Sequence, residues 1–454
     1  MIPALLARGF RVPCLAREPN RLRNRSWFSQ VEVFQGDVVI NTMLVDALQG
    51  VSGAYYLIHS MASGKHYPER DLLAASNFAR SASVAGVDYI IYLGGLADPR
   101  EAIGQHMRSR IETGERLRQS DVPVTEFRAS IIIGPSSISF EMIRYLSEQF
   151  PIMVGPHWLH HRAQPIAIKD ILDYLISTLE NPSSRGQVYE IGGPEVMLYA
   201  ETMLVYARIR GLKRWLVTLP VIPLWLMAFF VEKLTPIQAR IASPLMDGMR
   251  SDSVVHDDTA RRVFSKIEPV GYHSAVTEAL KKLFPIDIEP VWESGENSAK
   301  IVKYEGFSIE CRQLALDRSP EAVFRVLTSL GGKHGWLYMN WLWRLRGFLD
   351  HLVHGPGSRG RHVADVLMVG DVIDFYRVES LENARMIRLK SELRAPGAGW
   401  MEWRVKPQMD GGVLFTQTAF FAPKGVIGFL YWHLLAPVHR LVFAGLIKEI
   451  SHVS

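Results

Sequence analysis

From Met1 to about Asn181, short β-branched runs alternate with stretches of helical period. The runs are "RVPCLA", "VEVFQGD", "GAYYLIHSM", "DYIIYLGGL" and "VTEFRASIII". Between them lie "NTMLVDALQG", "ERDLLAASNFARSASVAGV" and "GQHMRSRIETGERLRQSDV", where apolar residues recur at helical spacing before a Gly or Asp-Val stop. Such alternation predicts βαβ units around a parallel sheet. Several runs are apolar throughout, as strands covered on both faces must be. The stretch to about Asp287 adds a strand, "GQVYEIGG", and helices that read as a substrate-side cap; turn-rich "EPVWESGENSAK" then reads as a linker.

Beyond Ile301 the texture changes. A strand, a helix "SPEAVFRVLTSL" and a Trp-rich helical stretch precede "GDVIDFYRVES", "RMIRLKSEL", "GWMEWRVKP" and "GVLFTQTAFFAP", which carry the period-2 signal of an antiparallel sheet with one buried face. In "WMEWRVK", Met401, Trp403 and Val405 point one way and Glu402, Arg404 and Lys406 the other. A long apolar helix, "KGVIGFLYWHLLAPVHRLVFAGLIKEI", closes the chain, with a bend expected near Pro437. The fold class expected is α/β: a Rossmann-type parallel sheet over residues 1–290, a linker over 291–300, and an α+β domain over 301–454.

Composition narrows the function classes. With 454 residues, 48% hydrophobic and 21% charged, the chain is an ordinary globular one able to bury a large core. Its net charge of +5 is spread along the sequence, which argues against nucleic acid as a partner and suits a phosphorylated small molecule. The two cysteines, Cys14 and Cys311, show neither metal-ligand spacing nor a disulfide framework, so no metal is expected and a reducing, cytoplasmic setting is. The start has no charged n-region or cleavage signature of a secretory leader. "WLVTLPVIPLWLMAFFVEKL", residues 215–234, is interrupted by Pro220 and Pro223 and falls at the short end for a span; it reads as a buried or surface-lying helical hairpin, leaving a peripheral membrane contact open.

Arg17 ends the strand at "RVPCLA", where an NAD-preferring fold carries an acid for the ribose 2′-hydroxyl; a cation there suits a 2′-phosphate. Arg21, Arg23 and Arg25 follow, either adding to that field or forming a solvated basic loop. Asp37 ends the next strand, placed to accept from an adenine amino group or simply to make a turn.

The ordered set "CLAREP…VEVFQGDV…ALQGVSGAYYLIHSM…AGVDYIIYLGGL…HMRSRIETGERLR…TEFRASIIIGP…QPIAIKDILDYLI…GQVYEIGGPE" resembles the atypical short-chain dehydrogenases/reductases of the NmrA-like kind, which include complex I 39-kDa-subunit relatives. The resemblance covers Met1 to Pro285. It implies cofactor contacts at Arg17, Asp37 and Val38, at Leu57, Ile58 and His59, at Gly94, and at Arg128, Ala129, Ser130 and Ile131. The cofactor implied is NADP(H), with NAD(H) left open. Active members of the superfamily carry a Ser where this chain has Gly94-Gly95, and Tyr-x-x-x-Lys where it has His106-x-x-x-Arg110. His106 and Arg110 share a helix face by i,i+4 spacing. They are the catalytic candidates: a protonated His106 to donate to a carbonyl oxygen, and Arg110 to hold the nicotinamide ribose and depress the His pKa. A plain basic helical face is the competing reading. Ser60, Ser109 and Ser130 are polar candidates with no base beside them in sequence.

The remainder is similar to helix-grip domains of the START or polyketide-cyclase kind, on "GWLYMNWLWRLRGFLDHLVHGPG", "VGDVIDFYRVE", "FTQTAFFAPKG" and "YWHLLAPVHRLVF". That implies an apolar pocket between sheet and long helix, lined by Trp336, Trp341, Trp343, Trp400, Trp403 and Trp432 unless these simply pack the core.

Such a dinucleotide fold needs a first strand and a Gly-rich turn before the helix at "MIPALLARGF", and neither is there; about 15 residues are expected to be missing. The absent strand is central, and leaving its neighbours with unpaired rows would cost ~1–3 kcal/mol per buried group, so either the chain starts upstream, the favoured expectation, or the two neighbours close up in a different register. Three functions follow: a reductase or isomerase of an apolar carbonyl or quinone-like compound, a non-catalytic dinucleotide sensor or assembly factor, or a lipid or quinone carrier. The partner expected is a small apolar substrate or ligand.

Overall fold

A computed structural model describes the chain apart from residues 23, 24, 41, 42, 62, 63, 65, 99, 136, 236, 282–299, 305, 306, 332–334, 362–366, 409, 410 and 454. Arg23 and nearly all of the expected linker lie outside the described residues. The chain divides into two compact units, Met1–Val291 and Trp292–Ser454.

The first unit opens with α1 (Ile2–Leu6), β1 (Pro13–Ala16), β2 (Glu32–Gln35), α2 (Leu44–Leu48), β3 (Gly53–Tyr56), α3 (Tyr67–Val84), β4 (Tyr89–Gly95), α4 (Gln105–Leu117), β5 (Val124–Ala129) and α5 (Ile138–Gln149). Strands β3, β4 and β5 and the strand Val188–Ile191 make a four-stranded parallel sheet, ordered Val188–Ile191, β5, β4, β3. Ile90, Ile91 and Tyr92 of β4 are fully buried, which is why that run carries no polar alternation. Helix α3 lays Ala74, Ala75, Phe78, Ala79 and Ala82 on the core, and its small residues let it approach the sheet closely. It ends where Gly86 takes φ +72°, with the Gly86 N–H on Ser83 O and the Val87 N–H on Ala82 O, a Schellman stop that a β-carbon would strain.

Strands β1 and β2 pair in parallel as a sheet of their own. They do not close up on β3: among the described residues no ladder joins β1 to β3, although Leu15 and Val39 pack into the same apolar cluster as Ala54 and Tyr56. The expected closure of the two neighbouring strands is not seen.

The second unit is a seven-stranded antiparallel sheet ordered Lys300–Tyr304, Phe307–Leu316, Val413–Pro423, Gly397–Pro407, Met386–Ser391, Tyr376–Glu382 and Val372–Ile373. The helix Pro320–Ser329, capped by Ser319 Oγ accepting from the Ala322 N–H at 3.3 Å, and the long helix Gly425–Val453 share its core through Val323, Leu327, Leu446, Ile447 and Ile450. By length and composition the long helix could cross a membrane.

The expectation of a single buried face fails at the sheet centre. Glu402, on the face opposite Met401 and Trp403, is buried and accepts from Arg388 Nε at 2.7 Å and from Arg404 Nε at 2.6 Å. Period-2 alternation reported the two faces correctly, but a cross-strand cation lets the polar one be buried too. The expected helical hairpin at 215–234 is also corrected. Trp215–Leu219 is a strand, because it pairs in parallel with Ile152–Pro156, and only Leu224–Leu234 is helical.

Candidate functional site

The carboxyl ends of parallel strands are where open α/β sheets place their ligands, because the chain turns there leave backbone groups facing a crevice. In this protein that end gathers Ile58 and His59 after β3, Leu93 and Gly94 of β4, and His106, Ser109 and Arg110 of α4. Arg110 Nη1 donates to Ile58 O at 3.5 Å and its Nη2 to Leu93 O, so one guanidinium ties the ends of two strands. The same group lies over the Tyr92 ring. Among the described residues no carboxylate forms an ion pair with Arg110, so its charge is met by carbonyl oxygens and a ring face.

His106 lies one helical turn earlier. Its Nδ1 is buried and has no hydrogen-bond partner. Burial, then the charge of Arg110, pull its pKa down to about 3, leaving the ring neutral near pH 7. The imidazolium donor expected from sequence is thus corrected to a neutral imidazole. Both expectations share a cause, since Arg110 at i+4 was expected to depress this pKa; burial adds to it and carries it too far for a cationic acid.

Helix α4 is fixed at its start by Asp247, whose Oδ2 accepts from the Gln105 N–H at 2.9 Å. Asp247 belongs to the helix Ala239–Gly248. From the other side Asp71 of α3, almost wholly buried, accepts from the Ser60 N–H at 2.6 Å and from Ser109 Oγ at 3.3 Å. Asp71 and Asp247 were missed in the sequence. The signal for Asp71 was present: it is an acid three and four places before Ala74 and Ala75, on the buried stripe of α3.

A side chain at Gly94 or Gly95 would press on its neighbours. A β-carbon on Gly94 would lie 3.1 Å from the Tyr92 ring and 3.2 Å from Glu126 Oε1, and one on Gly95 would lie 2.9 Å from Met107 Cε. A Ser at Gly94 would need Tyr92 or Glu126 to give by a few tenths of an ångström, and one at Gly95 would need the flexible end of Met107 to turn aside.

The remaining sequence candidates lie at other strand ends. Arg17 is exposed just past β1. Asp37 Oδ1 accepts from the Val39 N–H at 2.8 Å, an Asx turn, and Asn77 Nδ2 donates to the carbonyls of Val38 and Val39 at 2.9 Å each, pinning the loop to α3. Leu57 is exposed, and His59 Nδ1 accepts from the Met61 N–H at 3.4 Å. Arg128 Nε donates to the fully buried Glu126 Oε1 at 2.7 Å, and Arg118 holds the other oxygen. Ala129 and Ile131 are buried, and Ser130 Oγ is buried with no partner. The structure therefore brings together His59, His106 and Arg110, and puts Arg17, Asp37 and Val38 at the end of the β1–β2 sheet.

In the second unit a cavity of about 350 Å³ lies between the sheet and the helices Asn340–Leu352 and Gly425–Val453. Trp343, Trp400 and Trp432 line it, while Trp336 and Trp403 pack the core, donating to Asp374 and Gln417, and Trp341 faces solvent. Its polar features include Ser391, Arg346, which donates to the Tyr431 hydroxyl, and His439, whose Nδ1 is buried without a partner.

Comparison with known proteins bears on both units. The first unit has a doubly wound Rossmann-type fold. A nucleoside-diphosphate-sugar epimerase from Staphylococcus aureus matches 61% of this chain and 94% of its own at 18% identity, with a TM-score of 0.50, which is a likeness of fold. An NADPH-dependent quinone oxidoreductase from Escherichia coli matches 62% of this chain and 95% of its own at 17% identity and a TM-score of 0.49. In sequence, 116 residues are 29% identical to the mitochondrial NADH dehydrogenase [ubiquinone] 1 alpha subcomplex subunit 9 of Dictyostelium discoideum. That match takes in 25% of this chain and spans 32% of the relative's length. Residues 308–446 match a family described as a protein of unknown function, DUF2867.

Proposed function

We propose that the first unit binds a nicotinamide dinucleotide and reduces an apolar carbonyl, enone or quinone-like compound. The observation that carries this reading is the pairing, at the carboxyl ends of β3 and β4, of an Arg110 guanidinium with no carboxylate partner among the described residues and a neutral His106 with an unsatisfied ring nitrogen. A buried polar atom left alone costs ~1–3 kcal/mol, so a site that keeps one is suited to a ligand that supplies its partner. These groups fit a dinucleotide: Arg110 would hold ribose hydroxyls, Asp37 and the Val38 backbone the adenine end, and Arg17 a 2′-phosphate, which favours NADP(H) over NAD(H).

When bound, such a cofactor supplies a hydride. In this chain Arg110 orients the ribose and places positive charge beside developing oxyanion character. His106, neutral, donates a hydrogen bond to the carbonyl oxygen, and water supplies the proton that completes the reduction.

NADPH oxidation in the presence of a naphthoquinone or a cyclohexenone tests this. Turnover lost in His106→Phe supports it. Dinucleotide binding without turnover favours instead the non-catalytic sensor or assembly factor, and no binding by a folded chain overturns both.

A second reading concerns the other unit, taken as a helix-grip domain. Its largely apolar cavity, with Arg346, Tyr431 and His439 inside it, suits an amphiphile with an acceptor or anionic head. Saturable binding of a fluorescent fatty acid, weakened in Arg346→Ala, supports that carrier role. Its failure leaves the first reading untouched. The free cysteines accord with a cytoplasmic protein, membrane-associated through its apolar surfaces.

A further inference from the structure

The strand Trp215–Leu219 alternates strictly. Trp215, Val217 and Leu219 face solvent, and their register partners on the strand Ile152–Pro156 are Ile152, Val154 and Pro156, of which Ile152 and Val154 are likewise exposed. The outer face of this two-stranded sheet is therefore apolar, the reverse of a solvated sheet surface. It continues into Val221, 83% exposed, and into Trp225, Phe229 and Phe230 of the helix Leu224–Leu234. Contiguous exposed apolar surface of this kind marks an interaction site.

Beneath it is a cavity of about 500 Å³. Every side chain around it is apolar, and six are methionines: Met142, Met153, Met203, Met227, Met246 and Met249. Methionine lining is soft and adapts to a flexible apolar occupant. Ile152, Val154, Leu219, Val221 and Phe230 both line the cavity and face solvent, so they form its mouth, and the mouth opens on the apolar patch.

Charge selects the partner. Between Thr202 and Val231 the chain has no acid and carries Arg208, Arg210, Lys213 and Arg214. Arg210 pairs with Glu148 and Arg214 holds the carbonyls of Ser147 and Glu148, whereas Arg208 and Lys213 are exposed ahead of Trp215. An apolar face bearing two exposed tryptophans, bordered by exposed cations, has the composition of a surface that lies in the headgroup region of an anionic bilayer.

We propose that residues 215–230 seat the first unit on an anionic membrane and that the methionine-lined cavity takes one hydrocarbon chain, acyl or isoprenoid, from that membrane through the mouth at Val221. This site is independent of the dinucleotide reading, and of the cavity in the second unit.

The test uses the full chain. Flotation with vesicles containing phosphatidylglycerol is expected to carry at least tenfold more protein than vesicles of phosphatidylcholine alone. The triple variant Trp215→Ser, Trp225→Ser, Phe229→Ser, which alters exposed residues outside the cavity lining, is expected to lose that binding while its circular dichroism is unchanged. cis-Parinaric acid reads the cavity. Val221→Arg, a charge placed at an exposed mouth position, is expected to weaken parinarate binding about tenfold, with the triple surface variant and Arg346→Ala leaving that component intact. Equal flotation with both vesicles, or flotation indifferent to the triple variant, overturns the membrane seat. Parinarate binding unchanged in Val221→Arg, or absent altogether, overturns the cavity assignment.

Discussion

Arg110 and Tyr92 hold each other in two directions: the guanidinium carbon lies 4.9 Å over the Tyr92 ring, and the Tyr92 hydroxyl donates to the Arg110 carbonyl at 2.8 Å. The side chain is thus fixed without a carboxylate, and its charge stays available at the strand ends. Arg110→Lys keeps the charge but cannot reach two carbonyls and a ring face at once. It is expected to lower dinucleotide affinity about as far as Arg110→Ala does, while unfolding free energy drops by only ~1 kcal/mol, the scale of a cation–π contact. Calorimetric titration alongside urea denaturation checks both.

His106 and His439 give the protein a signed pH response. Burial first, and Arg110 or Arg346 second, lower their pKa values to about 3 and about 4. In the unfolded chain each takes up a proton near pH 6.5, which the folded chain refuses, so acidification favours unfolding. Stability is expected to be level above pH 7 and to fall as pH drops from about 6.5 towards 4, by up to ~1.4 kcal/mol per pH unit for each ring. Urea midpoints from pH 7.5 to 4.5 should show a shallower loss in His439→Phe than in the parent chain.

The buried pair of Arg388 and Glu402 should behave asymmetrically. Removing one partner strands a charge, so Arg388→Met or Glu402→Leu is expected to cost ~3–5 kcal/mol, and the double change much less. A double-mutant cycle by chemical denaturation reads the difference. Additive losses would show that Arg404, also on Glu402, carries the site alone.

Asp71 positions rather than reacts. Asp71→Ala frees the Ser60 N–H and Ser109 Oγ, with an expected loss of ~1–3 kcal/mol. If its role is positioning, the affinity for dinucleotide should fall more than the rate at saturation. Gly94→Ser is expected to destabilise modestly, because its β-carbon would press on the Tyr92 ring at 3.1 Å and on Glu126 Oε1 at 3.2 Å; urea denaturation checks this.

Much of the fold was legible because periodicity reports burial. The apolar run of β4 and the Ala-rich stripe of α3 place the parallel sheet, and the alternation through 401–405 places the antiparallel one. What was hidden depends on partners distant in sequence. Residues 215–219 read as helical until Ile152–Pro156 supplies a neighbouring strand. Glu402 reads as solvated until Arg388 lies across from it. At the site, the i,i+4 spacing of His106 and Arg110 was visible, whereas the neutrality of His106 comes from burial by the fold, and Asp247 reaches α4 from 142 positions along the chain.

The most direct test of the central claim is a titration of the full chain with NADPH up to millimolar concentration, followed by calorimetry, with Arg110→Ala in parallel. The account predicts saturable binding that weakens at least tenfold in the variant and is tighter for NADPH than for NADH. A folded chain that shows no heat with either coenzyme, or binding that Arg110→Ala leaves unchanged, contradicts it.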